Sequence, residues 1–264
     1  MPVWRYASAS VRGTSHVKTG VPCQDHAQVA PIPSLGTPSA LIAVASDGAG
    51  SAARSDEGAR AACGAFLEFS RLALDWVCRA EHLTDSFGKD ALADLQADID
   101  ALARDQREPV ASFACTLLGA LVTSDAALFV QLGDGAIVYR VEGDPEWHLA
   151  AQGQRGEFIN ETVFVTRPDA SSHIQAIRVN EPVVEFALMT DGVEFLAIKQ
   201  PDGIPHPAFF EHVTTGLRAV PAHGEARGYS EWIATFLASE AVNRRTDDDK
   251  TLVLATRAQC PDPR

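Results

Sequence analysis

The stretch Leu41–Ser51, reading L-I-A-V-A-S-D-G-A-G-S, narrows most what this chain can fold into. Leu41 to Ala45 are apolar without interruption, which predicts a buried strand with no polar face. The chain then breaks at Asp47-Gly48-Ala49-Gly50, so a carboxylate stands at the end of a rigid strand. The two glycines let the backbone turn tightly and approach an ion or a phosphate without an intervening side chain. Arg54–Phe69 then reads as a helix. A D-G-x-G turn is also an ordinary way to end a strand, and the rest of the chain decides between the two meanings.

Val3–Ala9 reads as a first strand, followed by a polar, loop-like segment that gathers Arg12, His16, Lys18, Gln24 and Asp25. Pro31 to Pro38 is a turn-rich connection between Gln28–Ala30 and the Leu41 strand. Helical apolar spacing covers Arg54–Arg79 and, with Leu92, Leu95, Ile99 and Leu102 on one face, Asp90–Arg104. Phe113–Thr123, Ala126–Leu132 and Ala136–Val141 are short apolar runs split by Ser124-Asp125 and Gly133-Asp134-Gly135, which predicts an antiparallel meander. From Gln152 to Asn180 the periodicity fades, apart from Glu161–Val165, and a flap over residues 152–180 is expected. Val183–Met189 is again apolar and runs into Thr190-Asp191-Gly192-Val193. Helices are expected at Ala208–Arg218 and Glu225–Val242, and the acidic run Thr246–Thr251 leads into a last strand, Leu252–Ala255.

Several function classes fall away. A formal net charge of −13 argues against nucleic-acid and anionic-membrane partners. The cysteines Cys23, Cys63, Cys78, Cys115 and Cys260 are scattered and never form C-x-x-C, so neither a zinc knuckle nor a disulfide framework is indicated. No signal pattern opens the chain and no apolar run approaches the roughly 18–20 residues of a membrane span, so a cytoplasmic protein is expected. Neither G-x-x-x-x-G-K-[ST] nor G-x-S-x-G occurs, and the histidines do not cluster.

Asp47, Asp134, Asp191 and Asp248 each lie at the mouth of a different apolar strand. Carboxylates converging on one rim repel one another unless cations neutralise them, and hard oxygen ligands with waters suit Mg²⁺ or Mn²⁺. A binuclear site for phosphate-ester hydrolysis is the natural chemistry.

Taken in order, Q-D at Gln24-Asp25, D-G-A-G at Asp47–Gly50, G-D-G at Gly133–Gly135, T-D-G-V at Thr190–Val193 and D-D-K-T at Asp248–Thr251 resemble the motifs of the metal-dependent Ser/Thr protein phosphatases, the PPM or type 2C family. The resemblance runs from Ser8 to Ala255 and is nearest to the compact bacterial members. It implies an α+β fold, a four-layer α-β-β-α sandwich of two antiparallel sheets flanked by helices, in a single domain over residues 1–264.

The resemblance also implies roles. Asp47 would bridge two Mn²⁺ or Mg²⁺ ions, the Gly48 carbonyl would bind one of them, and Asp191 and Asp248 would complete the other. Gln24 and Asp25 match the pair that holds metal-bound waters in relatives, and Asp134 matches a residue that supports a third metal in some members. The implied reaction is in-line attack on phosphoserine or phosphothreonine by a hydroxide bridging the metals. Relatives commonly grip the phosphate with an Arg ahead of the acidic pair. Here the matching loop reads Gly13-Thr14-Ser15-His16, so His16 is expected in that place, with Arg12 the second choice. Ala49 stands where some relatives have His or Met, and Gly135-Ala136 where Ser/Thr-Arg is more usual. A phosphoprotein substrate and a cognate Ser/Thr kinase are the implied partners. A catalytically silent relative that only binds phosphoproteins or a kinase would need a broken carboxylate set, and Asp47, Asp191 and Asp248 are all present.

Overall fold

Every residue of the strand Ala40–Ser46 is buried, and the reason is visible in how its side chains alternate. Leu41, Ala43 and Ala45 point into the layer between two sheets, whereas Ile42 and Val44 pack under helices on the other side. A strand with no polar face is thus the inner strand of a sheet covered twice.

The computed structural model describes residues 3–32, 40–76, 85–151, 162–200 and 202–258. In chain order its elements are β1 (Val3–Val11), α1 (Thr14–Thr19), β2 (His26–Ile32), β3 (Ala40–Ser46), α2 (Ser55–Trp76), α3 (Asp85–Gln106), β4 (Leu117–Val122), β5 (Ala127–Leu132) and β6 (Ala136–Val141). There follow β7 (His148–Leu149), β8 (Gln175–Val179), β9 (Val183–Met189), α4 (Asp191–Ala197), β10 (Ile198–Lys199), β11 (Ile204–Pro205), α5 (Pro207–Ala219), β12 (Gly224–Glu225), α6 (Arg227–Leu237), α7 (Glu240–Asn243) and β13 (Lys250–Ala258).

Two main sheets result, ordered β2-β3-β4-β5-β8 and β12-β1-β13-β9-β6-β7, with β10-β11 a separate two-stranded one. All pairings are antiparallel except the short β1–β12 pair. Three apolar layers hold them together. One lies between the sheets, around Phe129, Phe186 and Leu118; α2 and α3 cover the first sheet; α4, α5 and α6 cover the second. The α-β-β-α sandwich is therefore present. Glu185 on β9 is buried in it between two arginines: Arg140 Nη2 donates to it at 2.7 Å and Arg218 Nε at 2.7 Å, which ties α5 to the sheet.

Three expectations need correction. The run Phe113–Val141 is not one meander: β4 pairs with β5, but β6 leaves for the other sheet and pairs with β9 and β7. Gly133-Asp134-Gly135 is the crossover between sheets, with Gly133 at φ 93° and Gly135 at φ 85°. The polar segment after β1 is not all loop, because α1 forms where Ser15 N–H and Oγ–H both donate to the Asp247 carbonyl. The helix expected over Glu225–Val242 is broken at Ser239, whose hydroxyl accepts from Val242 N–H and starts α7.

A flap is expected over residues 152–180. Residues 152–161 lie outside the described ones. Beyond them Val163, Val165 and Ala170 are core residues under α3, and β8 is an edge strand of the first sheet. Polar edge-strand composition hid a packed segment. Of the cysteines, Cys23, Cys63 and Cys115 are free thiols, while Cys78 and Cys260 fall outside the described residues.

Candidate metal centre

The acidic residues come from strand ends of both sheets. Asp47 follows β3, Asp191 follows β9 and opens α4, Asp134 sits in the β5–β6 crossover, Asp248 precedes β13, and Gln24-Asp25 precedes β2. The Asp47 backbone and the Asp134 side chain are clipped in place. Thr116 N–H donates to Asp47 O at 2.8 Å, Asp47 N–H donates to Thr116 Oγ1 at 3.0 Å, and the Ser46 hydroxyl donates to Thr116 O at 2.6 Å. Thr162 Oγ1 donates to Asp134 Oδ2 at 2.6 Å.

Two glycines are required here by close approach. A Cβ on Gly48 would sit 2.7 Å from Ser55 O and 2.8 Å from Gln24 O, and one on Gly192 would sit 1.9 Å from Asp249 O. Gly48 thus joins the D-G-A-G turn to the Gln24-Asp25 segment, with Gly48 N–H donating to Gln24 O at 3.2 Å. Gly50, by contrast, has open space beside it.

The electrostatics show that these carboxylates share one neighbourhood. Burial pushes Asp191 up to about 7, with the charges of Asp134, Asp248 and Asp25 adding to it. Burial also lifts Asp25 to about 6, against hydrogen bonds from Asp47, Thr190 and Thr251 that pull it down. Asp47 is held well above the usual carboxylate range by burial first, then by Asp25, Asp191 and Asp134. Among the described residues none of Asp25, Asp47, Asp134 and Asp191 is ion-paired. The buried Lys250 spends its ammonium on Asn243 Oδ1 at 3.1 Å and Asp248 O at 3.0 Å.

Unmet polar atoms face the same place. Asp25 Oδ2 accepts from Thr190 Oγ1 at 2.8 Å, whereas Asp25 Oδ1 and Gln24 Oε1 are buried without a partner. Oxygen donors, mutual repulsion and orphaned acceptors together suit a hard divalent cation. Among the described residues no three Asp, Glu, His or Cys side chains close into a cage. Mg²⁺-like ions keep several waters and take only one or two carboxylates directly.

The two candidates for gripping phosphate meet on α1. Arg12 Nη2 donates to His16 O at 2.7 Å and is thereby committed to the helix, while His16 Nδ1 lies 2.9 Å from Asp249 Oδ2. Three supporting residues had no role in the sequence reading: Thr190, Thr116 and Asp249. Thr190 carries a signal in hindsight, as the residue directly before Asp191. Asp249 is one of three consecutive aspartates that only burial separates: Asp247 and Asp248 are exposed, whereas Asp249 is buried.

Two packed antiparallel sheets with an acidic rim at their strand ends define a class. The chain matches the family model described as protein phosphatase 2C over residues 12–238, and it belongs to that family. It is 34% identical over 257 residues to serine/threonine-protein phosphatase 3 of Escherichia coli strain K12, covering 97% of this chain and 99% of that one. Among solved structures it resembles the catalytic domain of the serine threonine protein phosphatase PstP in complex with two manganese ions. That match has a TM-score of 0.58 at 15% identity and covers 98% of this chain and 100% of that one. A C. elegans sex determining protein matches at a TM-score of 0.64 and 13% identity over 95% of this chain, which spans 64% of that protein's length. These structural likenesses carry the fold; the sequence matches carry the family. The chain is a protein phosphatase, and no finding points to catalytic silence.

Proposed function

We propose that this protein hydrolyses phosphoserine and phosphothreonine in proteins with the help of two Mn²⁺ or Mg²⁺ ions. The observation that carries the reading is a set of three carboxyls, the buried Asp25 and the half-buried Asp47 and Asp191, each raised by burial and by neighbouring carboxylate charge with no ion pair among the described residues. Asp47 and the Gly48 carbonyl would hold the ions from the first sheet, Asp191 and Asp248 from the second, and Asp134 would serve a third. When bound, such ions lower the pKa of a water and offset charge on the phosphoryl oxygens.

The chain's own residues supply the orientation. Asp25 Oδ1 and Gln24 Oε1 are free acceptors and would fix waters by accepting their hydrogens. Thr190 and Thr251 keep the Asp25 carboxylate turned, since Thr190 Oγ1 donates to it and accepts from Thr251 N–H at 3.0 Å. His16 is the first choice to meet the phosphoryl group and the leaving oxygen, because Arg12 is engaged with the His16 carbonyl.

A Ser/Thr kinase acting on the same phosphoproteins is the partner this chemistry requires, and we place both in the cytoplasm. No helix among the described residues is long and apolar enough to cross a membrane. Phosphate release from phosphothreonine, phosphoserine and phosphotyrosine peptides tests the substrate class. Turnover of the first two in Mn²⁺ or Mg²⁺ supports it, and turnover of phosphotyrosine alone would refute it.

A further inference from the structure

Asp249 is buried, and both its oxygens are taken by the protein. Oδ1 accepts from Gly13 N–H at 2.5 Å; Oδ2 accepts from Gln24 N–H at 2.6 Å and lies 2.9 Å from His16 Nδ1. Two segments near the N-terminus, the start of α1 and Gln24-Asp25, thus meet the start of β13, far away in sequence, on one carboxylate. The fit is close, since a Cβ on Gly13 would lie 2.4 Å from Asp247 O. A carboxylate already satisfied by main-chain donors has little capacity left for an ion. Asp248, its neighbour, is exposed and makes no such set of contacts.

From this we infer that Asp249 is a positioning residue: its carboxylate, 2.9 Å from a His16 Nδ1 that has no hydrogen-bond partner, holds the ring by charge and leaves Nε2 as the nitrogen presented to the phosphoryl group. The inference rests on the phosphatase reading of the site. A ring nitrogen's role is set by what its partner nitrogen faces. His16 Nε2 makes no hydrogen bond to a described residue, and the side chain is 16% exposed, so one edge of the ring is available. The same carboxylate sets Gln24, so the water-holding pair and the histidine move as one unit.

The tests are a kinetic cycle and a spectrum. Wild type, Asp249→Asn, His16→Ala and the double variant are assayed on a phosphothreonine peptide at saturating Mn²⁺. Asp249→Asn is expected to lose about tenfold or more in kcat/KM, and the double variant to lose no more than the worse single one, as coupled residues do. The concentration of Mn²⁺ giving half-maximal activity is expected to stay within about twofold. Additive losses, or a large rise in the Mn²⁺ requirement of Asp249→Asn alone, would overturn the proposal; the latter would make Asp249 a ligand.

Nitrogen-15 spectra of the imidazoles, taken on the metal-free protein, give a readout independent of turnover. The wild type is expected to carry the His16 proton on Nδ1, and Asp249→Ala to shift it toward Nε2. A wild-type His16 with its proton on Nε2 alone would overturn the proposal even if the enzyme is active. An inactive wild type with the Nδ1 proton in place would refute the phosphatase reading and leave the positioning contact standing.

Discussion

Thr190 Oγ1 donates to Asp25 Oδ2 at 2.8 Å, and this single hydroxyl links the end of β9 to the carboxylate ahead of β2, in the opposite sheet. It also accepts from Thr251 N–H at 3.0 Å, so three strand ends are registered by one side chain. Thr190→Val keeps the shape and removes both bonds. A loss of about 1–3 kcal/mol in urea unfolding is expected, as for a buried polar group left unpaired. A roughly tenfold weaker Mn²⁺ response should accompany it, as for outer partners of metal ligands. Unchanged stability and unchanged metal response would remove Thr190 from the site.

The raised carboxyls fix how stability depends on pH. Asp25 titrates at about 6 and Asp191 at about 7 in the folded chain, against 3.8 for a free aspartate, and Asp47 is raised as well. Below the free value all are protonated in both states and cost nothing. As pH climbs from about 4 to about 7 the unfolded chain releases protons that the folded chain keeps, so stability falls. Carboxyls lowered by partners, such as Glu57 and Glu211, act in the acid range with the opposite sign. The midpoint of thermal unfolding in EDTA should therefore drop between about pH 5 and pH 7.5, and stabilisation by Mg²⁺ should grow over the same interval. Stabilisation by Mg²⁺ that is flat with pH would contradict this.

Glu185 carries a structural load with no chemistry attached. Arg140 and Arg218 both bond to it, and Arg218 is pushed up by this pairing. Glu185→Ala leaves two half-buried guanidiniums without their shared acceptor, and a destabilisation of about 3 kcal/mol is expected from unfolding curves. Activity per folded molecule should stay within about twofold, because Glu185 lies toward the start of β9 and Asp191 beyond its end. A selective loss of kcat with normal stability would show otherwise.

The motif glycines separate into packed and open ones. Gly192→Ala would drive a methyl to 1.9 Å from Asp249 O and is expected to cost about 2 kcal/mol or more, as overpacking does. Gly50→Ala meets nothing within 4 Å and should be tolerated in folding. Equal losses for the two would mean the turn is constrained by something other than packing.

Much of this was legible in the sequence. Largely apolar runs located β3, β4, β5, β6 and β9, because strands covered on both faces have few polar positions to blur their ends. Asp47, Asp134, Asp191 and Asp248 stood out because each interrupts such a run. What stayed hidden was long-range. Nothing local tells that Gly133-Asp134-Gly135 crosses between sheets rather than closing a hairpin, since both need positive φ. Nor does a row of three aspartates reveal that Asp249 is the buried one. Its partners, Gly13 and Gln24, are more than 200 residues away in sequence, as their separations of 236 and 225 show.

The central claim is that Asp47 and Asp191 hold divalent ions that the phosphatase reaction needs. The direct measurement is calorimetric Mn²⁺ binding together with phosphothreonine-peptide hydrolysis for wild type, Asp47→Asn and Asp191→Asn, with and without EDTA. The account expects two Mn²⁺ bound by wild type, activity abolished by EDTA, and both variants losing an ion and about 10² or more in kcat. Wild-type turnover that persists in EDTA, or variants that bind and turn over as wild type does, would contradict it.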